Sequence, residues 1–206
     1  MESTETPLER WNARFASDDY HFGKEPSRFI KVHAHYLKPG QSVLAIADGE
    51  GRNGVWLAEQ GLRVHSIDFS PLALDKARKL AAERKVELTI EQADLSSWSW
   101  PTRRFDAVVA IFIQFADPAL RRAVFTGIKQ CLKPGGRFLL HGYRPKQLDY
   151  KTGGPPQVEN LYTEEMLRDA FADMRILELT SYDTEIREGV GHAGMSALID
   201  LVTEKV

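Results

Sequence analysis

A single cysteine, Cys131, stands in 206 residues. That excludes an intramolecular disulfide and a cysteine-built metal cluster, and its place beside Leu132 at the end of an apolar helical pattern assigns it to packing. Long apolar runs are missing too. No window approaches the roughly 18 residues a membrane helix needs, and residues 1–7 are polar and acidic with no charged-then-apolar leader pattern, so a cytoplasmic protein without a membrane partner is expected. Net charge is almost absent: 27 Lys and Arg against 29 Asp and Glu leave −2, which gives no global reason to expect nucleic acid or an anionic surface as partner. Neither repeats nor low-complexity tracts occur. What remains, 43% apolar and 27% charged, is the composition of one globular domain over residues 1–206, with a small molecule as the expected partner and a monomer or homodimer as the expected state.

The most informative stretch that is present is Val43 to Leu57, VLAIADGEGRNGVWL. An apolar β-type run ends in a glycine turn and opens at once into a helical pattern. Such a turn lets the backbone approach a ligand, and the helix beyond points unpaired N–H groups and its positive dipole end at it. Around it, short apolar runs alternate with helical patterns. Strands are expected at Val43–Ala47, Leu62–Ile67, Val86–Glu91, Phe105–Phe112 and Arg137–His141, and helices at Asn53–Gln60, Leu72–Arg84 and Pro118–Leu132, with Lys133-Pro-Gly-Gly as a turn. This alternation calls for a parallel sheet with right-handed crossovers and helices on both faces, an α/β fold.

The flanks differ. Residues 1–36 carry Trp11, Phe15, Tyr20 and Phe22 before a second helical pattern, Ser27–Tyr36, and are expected to form a helical and aromatic lid that also docks on the core. Residues 142–161, with Gly153-Gly154 and Pro155-Pro156, read as an irregular loop at the active site. Thr163 caps a helix to Phe171, and Arg175–Thr184 with Ala193–Val202 close the chain as an antiparallel pair.

Gly49-Glu-Gly-Arg-Asn-Gly54 satisfies G-x-G-x-x-G, and Asp68 ends the next strand, where a carboxylate accepts hydrogen bonds from a ribose diol. That chemistry serves nicotinamide cofactors and S-adenosylmethionine alike. The later motifs discriminate between them. Val43-Leu-Ala-Ile-Ala-Asp-Gly-Glu-Gly-Arg-Asn, Ser66-Ile-Asp-Phe-Ser, Gln92-Ala-Asp-Leu, Phe105-Asp-Ala-Val-Val-Ala and Leu132-Lys-Pro-Gly-Gly-Arg-Phe-Leu-Leu together resemble the class I S-adenosylmethionine-dependent methyltransferases. Trp11-Asn-Ala-Arg-Phe, Tyr20-His-Phe-Gly-Lys-Glu-Pro, Gln147-Leu-Asp-Tyr-Lys-Thr-Gly-Gly-Pro and Glu188-Gly-Val-Gly-His are similar to small bacterial members related to the tellurite-resistance type.

The resemblance implies a Rossmann-like, mostly parallel seven-stranded sheet of order 3-2-1-4-5-7-6 with the last strand antiparallel. It implies S-adenosylmethionine as cofactor, with Gly49, Gly51 and Asn53 near its methionine and ribose part, Asp68 and Phe69 at the ribose, Asp94 and Leu95 flanking adenine, and Ala110 to Phe112 on the methyl side. Two departures stand out: the family's usual acid is replaced by Ala45 and a usual glycine by Ala47. Asp48 or Glu50 would then supply the negative charge for the cofactor's ammonium, or backbone carbonyls would take it instead.

Methyl transfer from a sulfonium is an in-line displacement, so alignment and exclusion of water come first, and a base matters only when the acceptor must lose a proton. His141, His192 and Tyr143 are the catalytic candidates at the carboxyl edge of the sheet, with His141 foremost by position and intrinsic pKa. His33 and His35 face different ways on a helix and make no metal pair, so no metal is expected. Arg144 reads as a solvated loop charge or, beside the pocket, as an attraction for an anionic acceptor. Two rival functions share the glycine turn, an NAD(P)-dependent oxidoreductase and a non-catalytic S-adenosylmethionine-binding protein.

Overall fold

Leu44 and Ile46 point to one side of strand β1 (Ser42–Ile46) and Val43 and Ala45 to the other, and all four are buried in two separate apolar clusters. A strand that is apolar on both faces needs cover on both, which is the condition of a central parallel strand. In the computed structural model, which describes residues 6–206, β1 pairs in parallel with β2 (Arg63–Asp68) on one side and β4 (Phe105–Ile111) on the other. β3 (Thr89–Gln92) extends the β2 side, and β5 (Leu132–Tyr143) the β4 side, both in parallel. The final hairpin, β6 (Met174–Glu188) and β7 (His192–Lys205), joins through β7, antiparallel to β5 and to β6. The order is β3-β2-β1-β4-β5-β7-β6. Because the chain leaves β1 toward β2 and later returns to β1's other side as β4, the carboxyl ends of β1 and β4 flank a crevice where open α/β sheets bind ligands.

The helices follow their start signals. The arm supplies α1 (Pro7–Phe15), opened by a capping box between Thr6 and Glu9, and α2 (Arg28–His33), capped by Ser27. α3 (Arg52–Glu59) starts from Gly51, while α4 (Pro71–Arg84) and α5 (Pro118–Cys131) start from Ser70 and Asp117 with proline in the first turn. α6 (Gln147–Tyr150) is a single turn, and Thr163 caps α7 (Glu164–Ala170). One apolar layer packs α5 and α7 side chains such as Phe125, Ile128 and Leu167 against Leu44, Val108 and Phe138; the other packs Phe29, Ile30 and Leu57 against Val43, Val109 and Leu139. Each such buried side chain contributes roughly 1.5–3 kcal/mol.

Four expectations change. Lys133–Gly136 is not a turn between elements but a bulge inside β5: Leu132 pairs with Phe105 and Arg137 with Ala107, so the intervening residues loop out of the ladder. The stretch 142–161 is less irregular than its glycines and prolines suggest, since Gly142 and Tyr143 finish β5, α6 follows, and residues 158–160 make a 3₁₀ turn. The closing hairpin runs several residues further at its tip because charged outward-facing side chains hid the alternation. The pattern Ser27–Tyr36 splits into α2 and a 3₁₀ turn at Ala34–Tyr36. Among the described residues no helix is long and apolar enough to cross a membrane. Residues 1–5 of the expected lid lie outside the described residues.

Candidate active site

Between β1 and α3 the backbone turns through Ala47 (φ 47°), Asp48, Gly49 (φ 60°), Glu50 and Gly51 (φ 84°). Ala47 adopts the left-handed conformation without being glycine, at a cost of roughly 1–2 kcal/mol. Gly51 is needed twice over, for its dihedral and because a Cβ there would lie 2.7 Å from the Ala77 Cβ of α4. It serves the joint between α3 and α4 and is not part of the cavity wall.

Asp48 folds back under α3. Its carboxylate accepts the Gly54 N–H at 3.1 Å and the Ser66 hydroxyl at 2.8 Å, and burial pushes it up to about 7. Ser66 is the register partner of Ala45, so Asp48 brings its carboxylate back to the level of the sheet at which Ala45 stands. Gly54 makes room for it, since a Cβ there would sit 2.2 Å from Asp48 Oδ2. Glu50 has a different task. It is buried, and its carboxylate accepts the His21 N–H at 3.0 Å, the Phe22 N–H at 3.1 Å and Lys76 Nζ at 2.8 Å, which removes it as a partner for a cofactor ammonium and makes it the clamp on the arm.

A cavity of about 410 Å³ opens above this turn. Ala47, Asp48 and Gly49 form its floor, with Asp68, Phe69, Asp94 and Leu95 at one end and Ile111, Phe112 and His192 at the other; Pro7, Arg10, Trp11, Phe15 and Phe22 of the arm roof it. Asp68 accepts N–H bonds from Gly49 at 2.8 Å and Ser70 at 2.9 Å, and burial raises its carboxyl above the usual range. Asn53 also lines the cavity while its Oδ1 holds the Ser27 N–H at 2.9 Å. Trp11 stacks on Phe15 and meets Phe115 edge-on at 6.1 Å, closing the roof against the segment after β4.

At the other end His192 lies between two rings, Phe112 at 4.0 Å and Phe22 at 4.6 Å, and its Nδ1 is 2.7 Å from the Tyr143 hydroxyl. Burial first, then the Arg52 charge, pulls His192 well below its ordinary pKa, and burial raises the Tyr143 phenol, so both are neutral at neutral pH. Phe112 reaches the wall through a left-handed turn, φ 55°, strain of the kind found at ligand sites. The glycine pair of the 142–161 stretch belongs to this arrangement: a Cβ on Gly154 would come within 2.9 Å of Tyr143. None of residues 142–161, Tyr143 included, reaches the cavity wall, so that stretch does not line the site and Tyr143 meets it only through His192.

The structure does not bring His141 to the cavity. Its Nδ1 is 2.5 Å from Asp200, its register partner on β7, and its ring packs on Phe29 and Phe112. Ala110 is buried beneath the wall, which Ile111 and Phe112 supply instead. Gln114 orients Tyr143, accepting its N–H at 2.6 Å and donating to its carbonyl at 2.8 Å. Arg144 bonds the Leu198 carbonyl and Asp183, and Tyr150 bonds Asp183, all away from the cavity. Burial holds the Cys131 thiol at about 12, far from a reactive thiolate. Sequence reasoning missed Arg10 and Arg52 on the wall. Arg52 carries a readable signal, a cation at the first position of a helix, where the dipole disfavours one.

Residues 43–136 match the methyltransferase domain family. An uncharacterized methyltransferase from Synechocystis is 31% identical over 119 residues, 57% of this chain and 54% of that one. A ribosomal protein L11 methyltransferase from Geobacillus thermodenitrificans is 30% identical over 140 residues, 64% of this chain and 42% of that one. The chain thus spans about half the length of the curated relatives it matches. Among solved structures, a protein studied for conversion of a disulfide bond into a thioacetal group during echinomycin biosynthesis superposes with a TM-score of 0.78 at 19% identity, over 97% of this chain and 93% of that one. TehB from Haemophilus influenzae superposes at 0.71 and 16% identity, over 97% and 67%. The sheet order and these superpositions give the chain the Rossmann-like fold of class I methyltransferases, within which residues 43–136 match the methyltransferase domain family.

Proposed function

We propose that the chain transfers a methyl group from S-adenosylmethionine to a small-molecule acceptor inside the arm-roofed cavity, with the arm acting as its lid. When bound, the cofactor supplies an electrophilic methyl group on a sulfonium. The donor set suits it. A carboxylate has about four lone-pair sites, and Asp68, held by the Gly49 and Ser70 N–H groups, keeps acceptor capacity for a ribose hydroxyl. Asp94, Leu95 and Phe69 provide the adenine end, Gly49 the close backbone approach, and Asp48 the charge for the ammonium.

The observation that carries the reading is the neutral His192 at the far end of the cavity, backed from within the core by the Tyr143 hydroxyl. With Nδ1–H donating to the Tyr143 oxygen, Nε2 is the basic atom and takes the proton that a hydroxyl or thiol acceptor loses as its heteroatom bonds the methyl carbon. Phe22 and Phe112 hold the imidazole in place and keep water from it. The cavity volume lies in the small-molecule range of about 300–1,000 Å³, and a macromolecular acceptor would first have to displace α1 and Phe22.

Two measurements test this. S-adenosylhomocysteine should raise the melting temperature where NADH does not; stabilisation by NADH alone overturns the cofactor. A mass-spectrometric screen of thiols, phenols and amines should then yield a methylated product whose rate at saturating S-adenosylmethionine falls about 10²–10⁴-fold in His192→Gln, with the acid limb of its pH profile lost. His141→Gln should lower the melting temperature and leave that limb in place; the reverse pattern would transfer the base to His141.

A further inference from the structure

Glu50 stands between Gly49 and Gly51 in the turn that floors the cavity, yet its side chain turns away from that cavity. It is 2% exposed, and the arm takes both of its oxygens: Oε1 accepts the His21 N–H and Lys76 Nζ, and Oε2 the Phe22 N–H. Lys76 Nζ also donates to the Asp19 carbonyl at 2.6 Å, and the Tyr20 hydroxyl donates to the Lys76 carbonyl at 2.9 Å. A buried ion pair contributes little net stability once its desolvation is counted; what this one does is fix where residues 19–22 lie.

The same residues face the hairpin between β6 and β7 on their other side. The His21 carbonyl accepts the N–H groups of Val190 at 3.0 Å and Gly191 at 3.3 Å. The hairpin tip is shaped to them, since a Cβ on Gly189 would lie 2.4 Å from the His21 oxygen and one on Gly191 2.4 Å from Phe22 Cε1. One residue further on, His192 stacks on Phe22, ring centroids 4.6 Å apart and planes 22° from parallel. Residues 19–23 are thus a strap, bonded along one edge to the glycine turn and α4 and along the other to the tip that carries His192.

We propose that Glu50 is a positioning residue for His192: through the strap it ties the turn on which the cofactor would lie to the hairpin tip, so that a ligand settling on the turn also fixes the imidazole at the far end of the cavity. Local openings of such a strap interconvert with its closed form, and a ligand that needs the closed form makes them rarer by mass action. The coupling to a ligand rests on the methyltransferase reading; the hold of Glu50 on His192 does not.

Nuclear magnetic resonance on the full chain tests both parts with two variants. In Glu50→Gln/Lys76→Met, Gln offers one oxygen to two N–H groups and turns a donor toward the second, while Met removes the ammonium that would lose its carboxylate. Gly191→Ala leaves Glu50 intact and forces the tip off Phe22. Without ligand, ring currents from Phe22 and Phe112 should hold the His192 ring protons upfield in wild type; both variants should lose the Phe22 contribution, while the His141 ring protons, beside Phe29 and Phe112, stay in place. S-adenosylhomocysteine at 100 times its Kd should slow amide exchange at Val190 and Gly191 of wild type by up to about 100-fold. At the same multiple of its own Kd, the double variant should show almost none of this slowing, and in Gly191→Ala the slowing should reach His21 and Phe22 and stop short of Val190. A His192 shift unmoved in both variants, no slowing at Val190 in wild type, or slowing there as large in the double variant, overturns the proposal and leaves the tip to the Arg52–Glu188 pair. Should the double variant fail to fold by circular dichroism, Gly191→Ala decides alone, and a persistent His192 shift or persistent protection of Val190 overturns it. Failure of wild type to bind S-adenosylhomocysteine strikes the methyltransferase reading instead, and the ligand-free His192 shift still decides the part played by Glu50.

Discussion

Asp48 gives the sharpest link between sequence anomaly and measurable behaviour. Burial lifts its carboxyl from 3.8 to about 7, so the folded chain binds this proton more tightly than the unfolded chain does. Its contribution to stability is therefore greatest at acid pH and declines as pH rises from about 4 to about 7, remaining lost above that. Three pK units correspond to at most about 4 kcal/mol. Asp48→Asn keeps an acceptor for the Gly54 N–H and removes the ionisation, so its melting temperature should exceed that of wild type at pH 8 and match it at pH 5. Cofactor binding should move the other way. An ammonium beside Asp48 favours the carboxylate, so binding of S-adenosylhomocysteine releases a proton, and affinity should rise by up to about tenfold per pH unit below pH 7 and flatten above. Calorimetry in two buffers of different ionisation enthalpy counts that proton directly. Asp48→Asn should abolish the proton release and weaken binding by about 1.5–3 kcal/mol at pH 8, the value of a charged hydrogen bond. Affinity that is independent of pH, with the variant binding as tightly as wild type, would refute the reasoning and leave the ammonium to backbone carbonyls.

Two further outcomes follow from the same loop. Gly54→Ala places a Cβ 2.2 Å from Asp48 Oδ2 and should cost about 1–3 kcal/mol by overpacking, read by urea denaturation; a loss below about 0.5 kcal/mol would mean that Asp48 moves freely. Glu50→Gln removes the carboxylate partner of Lys76, leaving that buried charge only the Asp19 carbonyl, and weakens the hold on His21 and Phe22. It should destabilise by about 3–5 kcal/mol and speed amide exchange at residues 20–23, and unchanged exchange there would show that the aromatic contacts alone hold the arm down.

The fold was legible because both of its periodicities are plain. Val43 to Ile46 is apolar at every position and therefore buried on both faces, while Ser70-Pro71 and Asp117-Pro118 mark helix starts by chemistry that the caps then use. Misreadings cluster where tertiary pairing overrides local signals. Lys133-Pro-Gly-Gly has every mark of a turn, but ladder bonds on either side carry it through as a bulge. The hairpin tip, rich in charge and glycine, reads as loop until strand pairs with strand.

The site divides along a similar line. Residues whose position is set by the backbone they sit on, Gly49 and Asp68, were readable as cavity residues from motif and strand end alone. Residues whose role depends on which distant partner claims them were not. Glu50 and Asp48 are both acids in one glycine turn, yet the arm takes the first through two N–H groups and Lys76, and β2 takes the second through Ser66. His141 and His192 are both histidines near the carboxyl edge, yet Asp200 draws one into the core and two aromatic rings hold the other on the cavity wall. In each pair, residue type fixes what chemistry is available, and long-range packing decides which member is free to use it. Asp48 follows the same account: Ser66, the register partner of Ala45, bonds its carboxylate, and Gly54 leaves the room it occupies, so three positions that are separate in sequence fix where that one acid stands.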